Sequence, residues 1–221
     1  DTLYIDMKKS FAAAARSLNP DIPKEAIAIA MESWEKHGDA TLLFEERYDI
    51  SAQKIHEYAH RILDTSKWKA LDGIADAIQE LQAQGQFIIW THGSKKMVLN
   101  NMDRLGFYGL VDEKDIFDMH EIGRKDKGVE PYQRICAERG VKTDNAALFE
   151  DTVHNLYDAK KAGLHTSFIH DHAPDNLNAI DFLHDNTVAA FRAVARHVRK
   201  TRVRAVNSLS VNDHRSCIPG S

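Results

Sequence analysis

Apolar positions in the first third of the chain recur at helical spacing. In "MKKSFAAAARSL", residues 7–18, Phe11 and a run of alanines form a stripe, which "NPD" then breaks. "PKEAIAIAMESWEKHG" opens on proline and ends at Gly38, the order that helices prefer. "ISAQKIHEYAHRIL" sets Ile55, Tyr58 and Ile62 on one face, and "ALDGIADAIQELQAQG" closes on Gly85 as a C-cap. Residues 7–82 are therefore expected to be almost wholly helical. Beyond them the period changes. "QFIIW", "AALFED" and "HTSFIH" are short apolar runs, and helical patterns follow the first two in "KKMVLNNMDRLG" and "TVHNLYDAKKAG". Short strands alternating with helices predict βαβ units and a parallel sheet. "NTVAAFRAVARHVRK" predicts a last helix, and a loose polar tail is expected after it.

Composition narrows the class. A chain of 221 residues suggests one large domain, or a core with a smaller insert. Its 43% hydrophobic and 28% charged residues are those of an ordinary soluble protein. A formal net charge of −4 supplies no basic surplus for nucleic acid or a membrane. No apolar run approaches the roughly 20 residues of a membrane span, and no signal peptide opens the chain. Cys136 and Cys217 have no metal-binding spacing. A reducing, cytoplasmic setting is the expectation.

Parallel sheets bind ligands at the carboxyl ends of their strands, and three features fall at such ends. Thr91-His92-Gly93-Ser94 follows "FIIW"; its hydroxyl and free backbone amides suit a phosphate, or it is a plain N-cap. Glu150-Asp151 follows "AALF". Adjacent carboxylates are costly unless a cation or hydrogen bonds compensate them, and oxygen donors suit Mg²⁺; alternatively Asp151 only caps the next helix. Asn155 and Asp158, one and two turns further on, are placed to support that loop. The third feature is the loop "GRKDKGVEPYQRI", where Lys125 or Lys127 could neutralise a phosphoryl group or simply lie in water.

Together and in this order the three resemble the haloacid dehalogenase (HAD) superfamily of phosphohydrolases, over roughly residues 1–195. "DTLY" at the start is similar to the tail of the family's first motif, Asp-x-Asp-x-Thr, with Asp1 as the variable residue and Thr2 as the threonine. Thr91 matches the second motif. "KDKGVEPYQRI" loosely resembles the third, with Lys127 favoured and Lys125 the alternative. "FEDTVHNLYDAKKAG" resembles the fourth most specifically. The resemblance implies a three-layer, Rossmann-like α/β core of residues 1–6 and 83–195. A C1-type α-helical cap would be inserted at 7–82, and 196–221 would form a basic helix end and tail. Within the superfamily, "DTLY" leading into a helical segment looks like the pyrimidine 5′-nucleotidase-like group.

The implied chemistry is Mg²⁺-dependent hydrolysis of a small phosphorylated substrate, with a nucleoside 5′-monophosphate favoured. Glu150 and Asp151 would hold the metal. Thr91, His92, Gly93 and the lysine would hold the phosphoryl oxygens. The protein would be a monomer or homodimer. The family's two catalytic aspartates, the nucleophile among them, would precede residue 1, so the chain as printed is expected to be inactive by itself. The alternative is a natural phosphate-binding or regulatory relative without turnover. A 2-haloacid dehalogenase, which needs no metal, is disfavoured by Glu150-Asp151. His56-Glu57-Tyr58-Ala59-His60 also fits the zinc-peptidase pattern His-Glu-x-x-His. It is expected instead to lie on a solvated or substrate-facing side of the cap. The basic run "RHVRKTRVR", residues 196–204, is expected to be a solvated helix end rather than a nucleic-acid or lipid site.

Overall fold

The computed structural model describes residues 2–66, 68–170 and 176–213, with side chains from residue 5 to residue 200 within those stretches. Asp1, the Thr2 side chain and Cys217, all invoked above, lie outside what is described.

Four helices make the insert: α1 (Thr2–Leu18), α2 (Ala26–His37), α3 (Leu42–Tyr48) and α4 (Ala52–Ile62). Alanine has the best helix propensity, and in α1 the small Ala12, Ala14 and Ala15 let α2 and α4 approach closely. Helix α2 buries Ala26, Ile29, Ala30 and Ser33 at the i, i+3, i+4, i+7 spacing of one face. It ends where Gly38 turns to φ 64° and its amide donates to the Trp34 carbonyl. Phe11, Leu43, Phe44, Ile55 and Ala59 complete the insert's apolar centre. Ile62, expected on the buried face of α4, is 46% exposed, because the stripe runs out at Ala59. Residues 2–6, expected with the core, are instead the first turns of α1, whose partners are α2 and α4.

The α/β body follows: α5 (Ile74–Gln82), β1 (Ile89–Thr91), α6 (Lys95–Arg104), β2 (Ile116–Asp118) and α7 (Glu130–Glu138). It continues with β3 (Ala147–Glu150), α8 (Val153–Lys161), β4 (His165–Ile169), β5 (Phe182–His184) and α9 (Thr187–Asp213). Helix α5, assigned above to the cap, packs on α9 and joins Ala77 and Ile78 to Met102, Ile116 and Phe191. The cap therefore ends with α4. Helix α9 runs to Asp213, through part of the expected loose tail.

Among the described residues all strand pairs are parallel. β1 pairs β2 with Thr91 opposite Asp118, and β3 pairs β4 with Glu150 opposite Phe168. β4 also pairs β5. The result is two sheets, β1-β2 and β3-β4-β5. Alternate strand residues enter opposite helix layers. Ile89 and Phe149 pack toward α5, α6 and α9, whereas Trp90 and Leu148 pack with Tyr132 and Ile135 of α7 and Ala159 of α8. The two sheets thus lie between the same two layers, a three-layer α/β arrangement. Their β1 and β3 edges are not hydrogen-bonded to each other. Lys125 reaches both, with its ammonium 2.7 Å from Glu150 and 5.8 Å from the centre of the Trp90 ring.

Candidate active site

The turn after β1 is held by its own hydroxyls. Thr91 Oγ1 accepts from the Gly93 amide at 2.9 Å, and Ser94 Oγ caps α6 by accepting from the Met97 amide at 3.3 Å. A side chain at Gly93 would place its Cβ 2.6 Å from Met97 Cε and 3.3 Å from Thr91 Oγ1, so only glycine fits here without displacing a neighbour. Asp118, across from Thr91, accepts the amides of Lys95, His120 and Glu121 and is 9% exposed. A carboxylate at the start of α6 favours the helix dipole and fixes the turn from the β2 side.

His92 points into the loop before α7. Its Nε2 accepts from the Lys125 amide at 2.9 Å. Burial first, then the Lys125 ammonium, push the imidazole down to about 4, so near neutral pH it is an uncharged acceptor.

Of the two candidate lysines, the structure brings Lys125 into the site. Its Nζ donates to Glu150 Oε2 at 2.7 Å, with the two side chains 12% and 6% exposed. Lys127, the lysine favoured from the sequence, is exposed and lines a separate surface groove with Ile122, Pro131 and Arg134. The reversal follows from a turn: the Lys127 amide reaches back to the Arg124 carbonyl at 3.4 Å, so the chain bends between the two lysines and sends their side chains apart. Arg124 forms a two-pronged pair with Asp126 and donates to the His37 carbonyl, which ties this loop to the end of α2.

Glu150 and Asp151 end β3. Glu150 Oε1 accepts from the amides of Asp151 and Thr152, each at 3.2 Å, while Lys125 takes Oε2. Burial raises the Glu150 carboxyl above the ordinary range; Lys125 draws it partly back, and Asp151 beside it pushes it up. Asp151 is exposed and accepts from its neighbour Thr152. A cavity of about 300 Å³ opens here, lined by Lys125, Phe149, Glu150, Asp151, Ile169 and Thr187. The carboxylates are hard oxygen donors of the kind Mg²⁺ takes one or two at a time. Asp151 fits as a direct donor. Both oxygens of Glu150 already hold hydrogen bonds, which suits it to orient Lys125 and the turn.

The α8 residues brace the loop: Asp158 Oδ2 accepts from the Gly128 amide at 3.0 Å, and the Asn155 carbonyl accepts from Tyr132 Oη at 2.7 Å. Tyr132 and Asp118 escape a motif search, because Tyr132 bonds to Lys125 and Asn155 and Asp118 reaches Lys95, all on other elements.

His56 and His60 turn to separate partners. His56, expected to be solvated or substrate-facing, is 3% exposed inside the cap, with Nε2 3.7 Å from Asp39. Burial opposes the charge on Asp39, but the His56 ring and the Thr41 hydroxyl and amide outweigh it and hold the carboxyl far below its usual range. His60 faces the core: its Nδ1 is hydrogen-bonded to Ser94 Oγ at 3.2 Å, and burial lowers it to about 4. Among the described residues no group of three His, Cys, Asp or Glu could hold a metal. No described helix is long and apolar enough to cross a membrane.

Residues 7–169 match the haloacid dehalogenase-like hydrolase family. Among solved structures, the chain is similar to a HAD phosphatase from Thermococcus onnurineus, at 14% identity, 85% coverage of this chain and 87% of that one, with a TM-score of 0.55. A HAD family hydrolase from Deinococcus radiodurans R1, with bound phosphate and sodium, matches at 14% identity, 87% and 89% coverage and a TM-score of 0.51. A dehalogenase with an intermediate complex matches at 15% identity, 80% and 88% coverage and a TM-score of 0.54. At such identities the likeness shows the fold.

Proposed function

Since the chain belongs to the haloacid dehalogenase-like hydrolases, we propose that its site serves Mg²⁺-dependent hydrolysis of a small phosphomonoester. A nucleoside 5′-monophosphate is the favoured substrate, from the resemblance of "DTLY" and the helical segment after it. The observation that carries the reading is the Lys125–Glu150 pair, beside Asp151, at the carboxyl end of a parallel sheet. A fixed ammonium at a strand end can meet the charge that grows on a transferring phosphoryl group.

Each residue then has a task. Thr91 presents its hydroxyl, and the start of α6 its backbone amides, to the phosphoryl oxygens. Lys125 neutralises them from the other side, held in place by Glu150. Asp151 carries the metal, which when bound would screen the approach of one anion to another. The nucleophile in this reading is an aspartate upstream of residue 1, on a strand seated between the β1 and β3 edges. That position supplies both edges with backbone partners and ends the strand beside Thr91 and Lys125. Attack of its carboxylate oxygen on phosphorus would expel the alcohol, and water would then cleave the acyl phosphate. The cap, closed through His60 and Arg124, excludes bulk water from that step.

The test is phosphate release from p-nitrophenyl phosphate and from nucleoside 5′-monophosphates, by the chain preceded by an apolar strand ending Asp-x-Asp. Turnover that is lost with chelator and in Asp151→Asn is expected. Turnover that survives both overturns the metal assignment. Halide release from a 2-haloacid without metal, with no phosphatase activity, replaces the reading by dehalogenation.

A further inference from the structure

Lys125 is gripped at three points by three different elements. Its amide donates to His92 Nε2 at 2.9 Å, from the turn after β1. Its carbonyl accepts from Tyr132 Oη at 2.8 Å, from α7. Its ammonium donates to Glu150 Oε2 at 2.7 Å, at the end of β3. We infer that His92 and Tyr132 are positioning residues that fix the lysine peptide, and so aim its ammonium at the phosphoryl site. The inference rests on the phosphatase reading above.

The arrangement at Tyr132 is not that of a plain core aromatic. The residue is wholly buried, and its ring meets Trp90 edge to face at 5.0 Å and 71°. Its hydroxyl reaches two carbonyls, those of Lys125 and Asn155, at 2.8 and 2.7 Å. A phenol has one proton, so the two carbonyls share it. This couples the lysine loop to α8, the helix that follows Glu150-Asp151. One hydroxyl therefore registers the lysine loop against the acidic turn, and its ring registers both against β1. His92 does the same for the turn that carries Thr91. A lysine side chain has four rotatable bonds, and a free loop would spread its ammonium over several ångströms. Fixing the peptide at both its N–H and its C=O leaves only the side-chain torsions, and Glu150 selects among those. Misplacing a charge by about an ångström against a transferring group can cost much of its effect.

A filler role and a positioning role differ in one measurable way. A residue acting through Lys125 has nothing to act on once that ammonium is gone. The experiment is a double-mutant cycle on the affinity for inorganic phosphate with Mg²⁺ present, by titration calorimetry, on the full chain. Lys125→Met should weaken phosphate binding by about tenfold or more, and Tyr132→Phe and His92→Leu by about three- to tenfold each. In the Lys125→Met background Tyr132→Phe should change the affinity by less than about twofold. His92→Asn, which keeps an acceptor, should recover much of what His92→Leu loses. Tyr132→Phe keeps the ring and its packing, so the cycle stands even if His92→Leu fails to fold. Equal losses from Tyr132→Phe in both backgrounds, or no loss in either, overturn the inference while leaving the phosphatase reading intact. Wild-type protein that binds no phosphate, or binding indifferent to Lys125→Met, overturns the phosphatase reading itself.

Discussion

Replacing Lys125 by methionine keeps the stem and removes the ammonium that Glu150 faces at 2.7 Å. With the pair 12% and 6% exposed, only water entering through the adjoining cavity could replace part of that contact. Glu150 would keep only the two amide bonds from Asp151 and Thr152, both to the same oxygen. Breaking a buried pair by removing one partner costs about 3–5 kcal/mol. A carboxyl can escape that cost by taking up a proton, and this sets a ceiling. From its ordinary value of 4.5 to pH 7 is about 2.5 pH units at about 1.4 kcal/mol each, or about 3.5 kcal/mol. The expected loss at pH 7 is therefore about 3 kcal/mol, a fall in Tm of about 6–12 °C for a protein of this size.

The pH dependence follows from the direction of the shift. Burial already raises Glu150, and Lys125 opposes that rise, so losing the lysine raises it further. A carboxyl raised in the folded state contributes its full stability below the unfolded value and loses it as pH climbs. The deficit of the variant should thus vanish below about pH 4.5 and grow from there toward neutrality. Urea unfolding from pH 4 to 8 with chelator present, followed by tryptophan fluorescence, measures it. Lys125→Met combined with Glu150→Gln should recover most of the loss at pH 7, since a glutamine carries no charge to strand. A deficit independent of pH, or a double variant no better than the single one, would refute the reasoning.

His92 is held neutral with its value lowered to about 4. Its contribution is whole above the unfolded value of about 6.5 and is lost as pH falls toward 4, by up to about 3 kcal/mol; His92→Gln should flatten the acid limb of a stability–pH curve. Gly93→Ala puts a Cβ 2.6 Å from Met97 Cε and 3.3 Å from Thr91 Oγ1. Met97 Cε is the free end of a flexible side chain and can swing aside, so the cost in thermal unfolding should stay under about 1 kcal/mol, while crowding of Thr91 Oγ1 should weaken phosphate binding. Ser33 is fully buried, donates to the Asp39 carbonyl at 2.6 Å and accepts from the Leu43 amide at 3.1 Å. Ser33→Ala should destabilise the cap by about 1–3 kcal/mol, and an unchanged melting curve would show the network to be dispensable.

What was legible in the sequence was local. The stripes of α1, α2, α4 and α5, the Gly38 stop, and the runs that became β1, β3 and β4 carry their own period and punctuation. Strands of three residues do not: "IFD" and "FLH" became β2 and β5 only through pairing with β1 and β4. Periodicity showed that α5 has an apolar face but not that its partner is α9, more than a hundred residues away. The same limit governed the site. Thr91, Glu150 and Asp151 follow apolar runs and could be found from that alone. Lys125 and Lys127 are two residues apart in a loop without period. What separates them is His92, Tyr132 and Glu150, three contacts made in space. His56 and His60 share a helix face as the spacing requires, yet Asp39 and Ser94, from elsewhere in the chain, decide what each one does.

The apolar cluster of α1 to α4 and the clusters of the α/β body have no residue in common. Each part carries its own supply of buried surface, so opening one from the other exposes little that either needs. The joint rests on contacts such as the His60–Ser94 and Arg124–His37 bonds, and a single hydrogen bond is worth only about 0.5–1.5 kcal/mol net. The molecule is therefore two cooperative units in loose series. In native-state hydrogen exchange the amides of the four cap helices should open together, at a free energy of their own, without the strands beneath them opening.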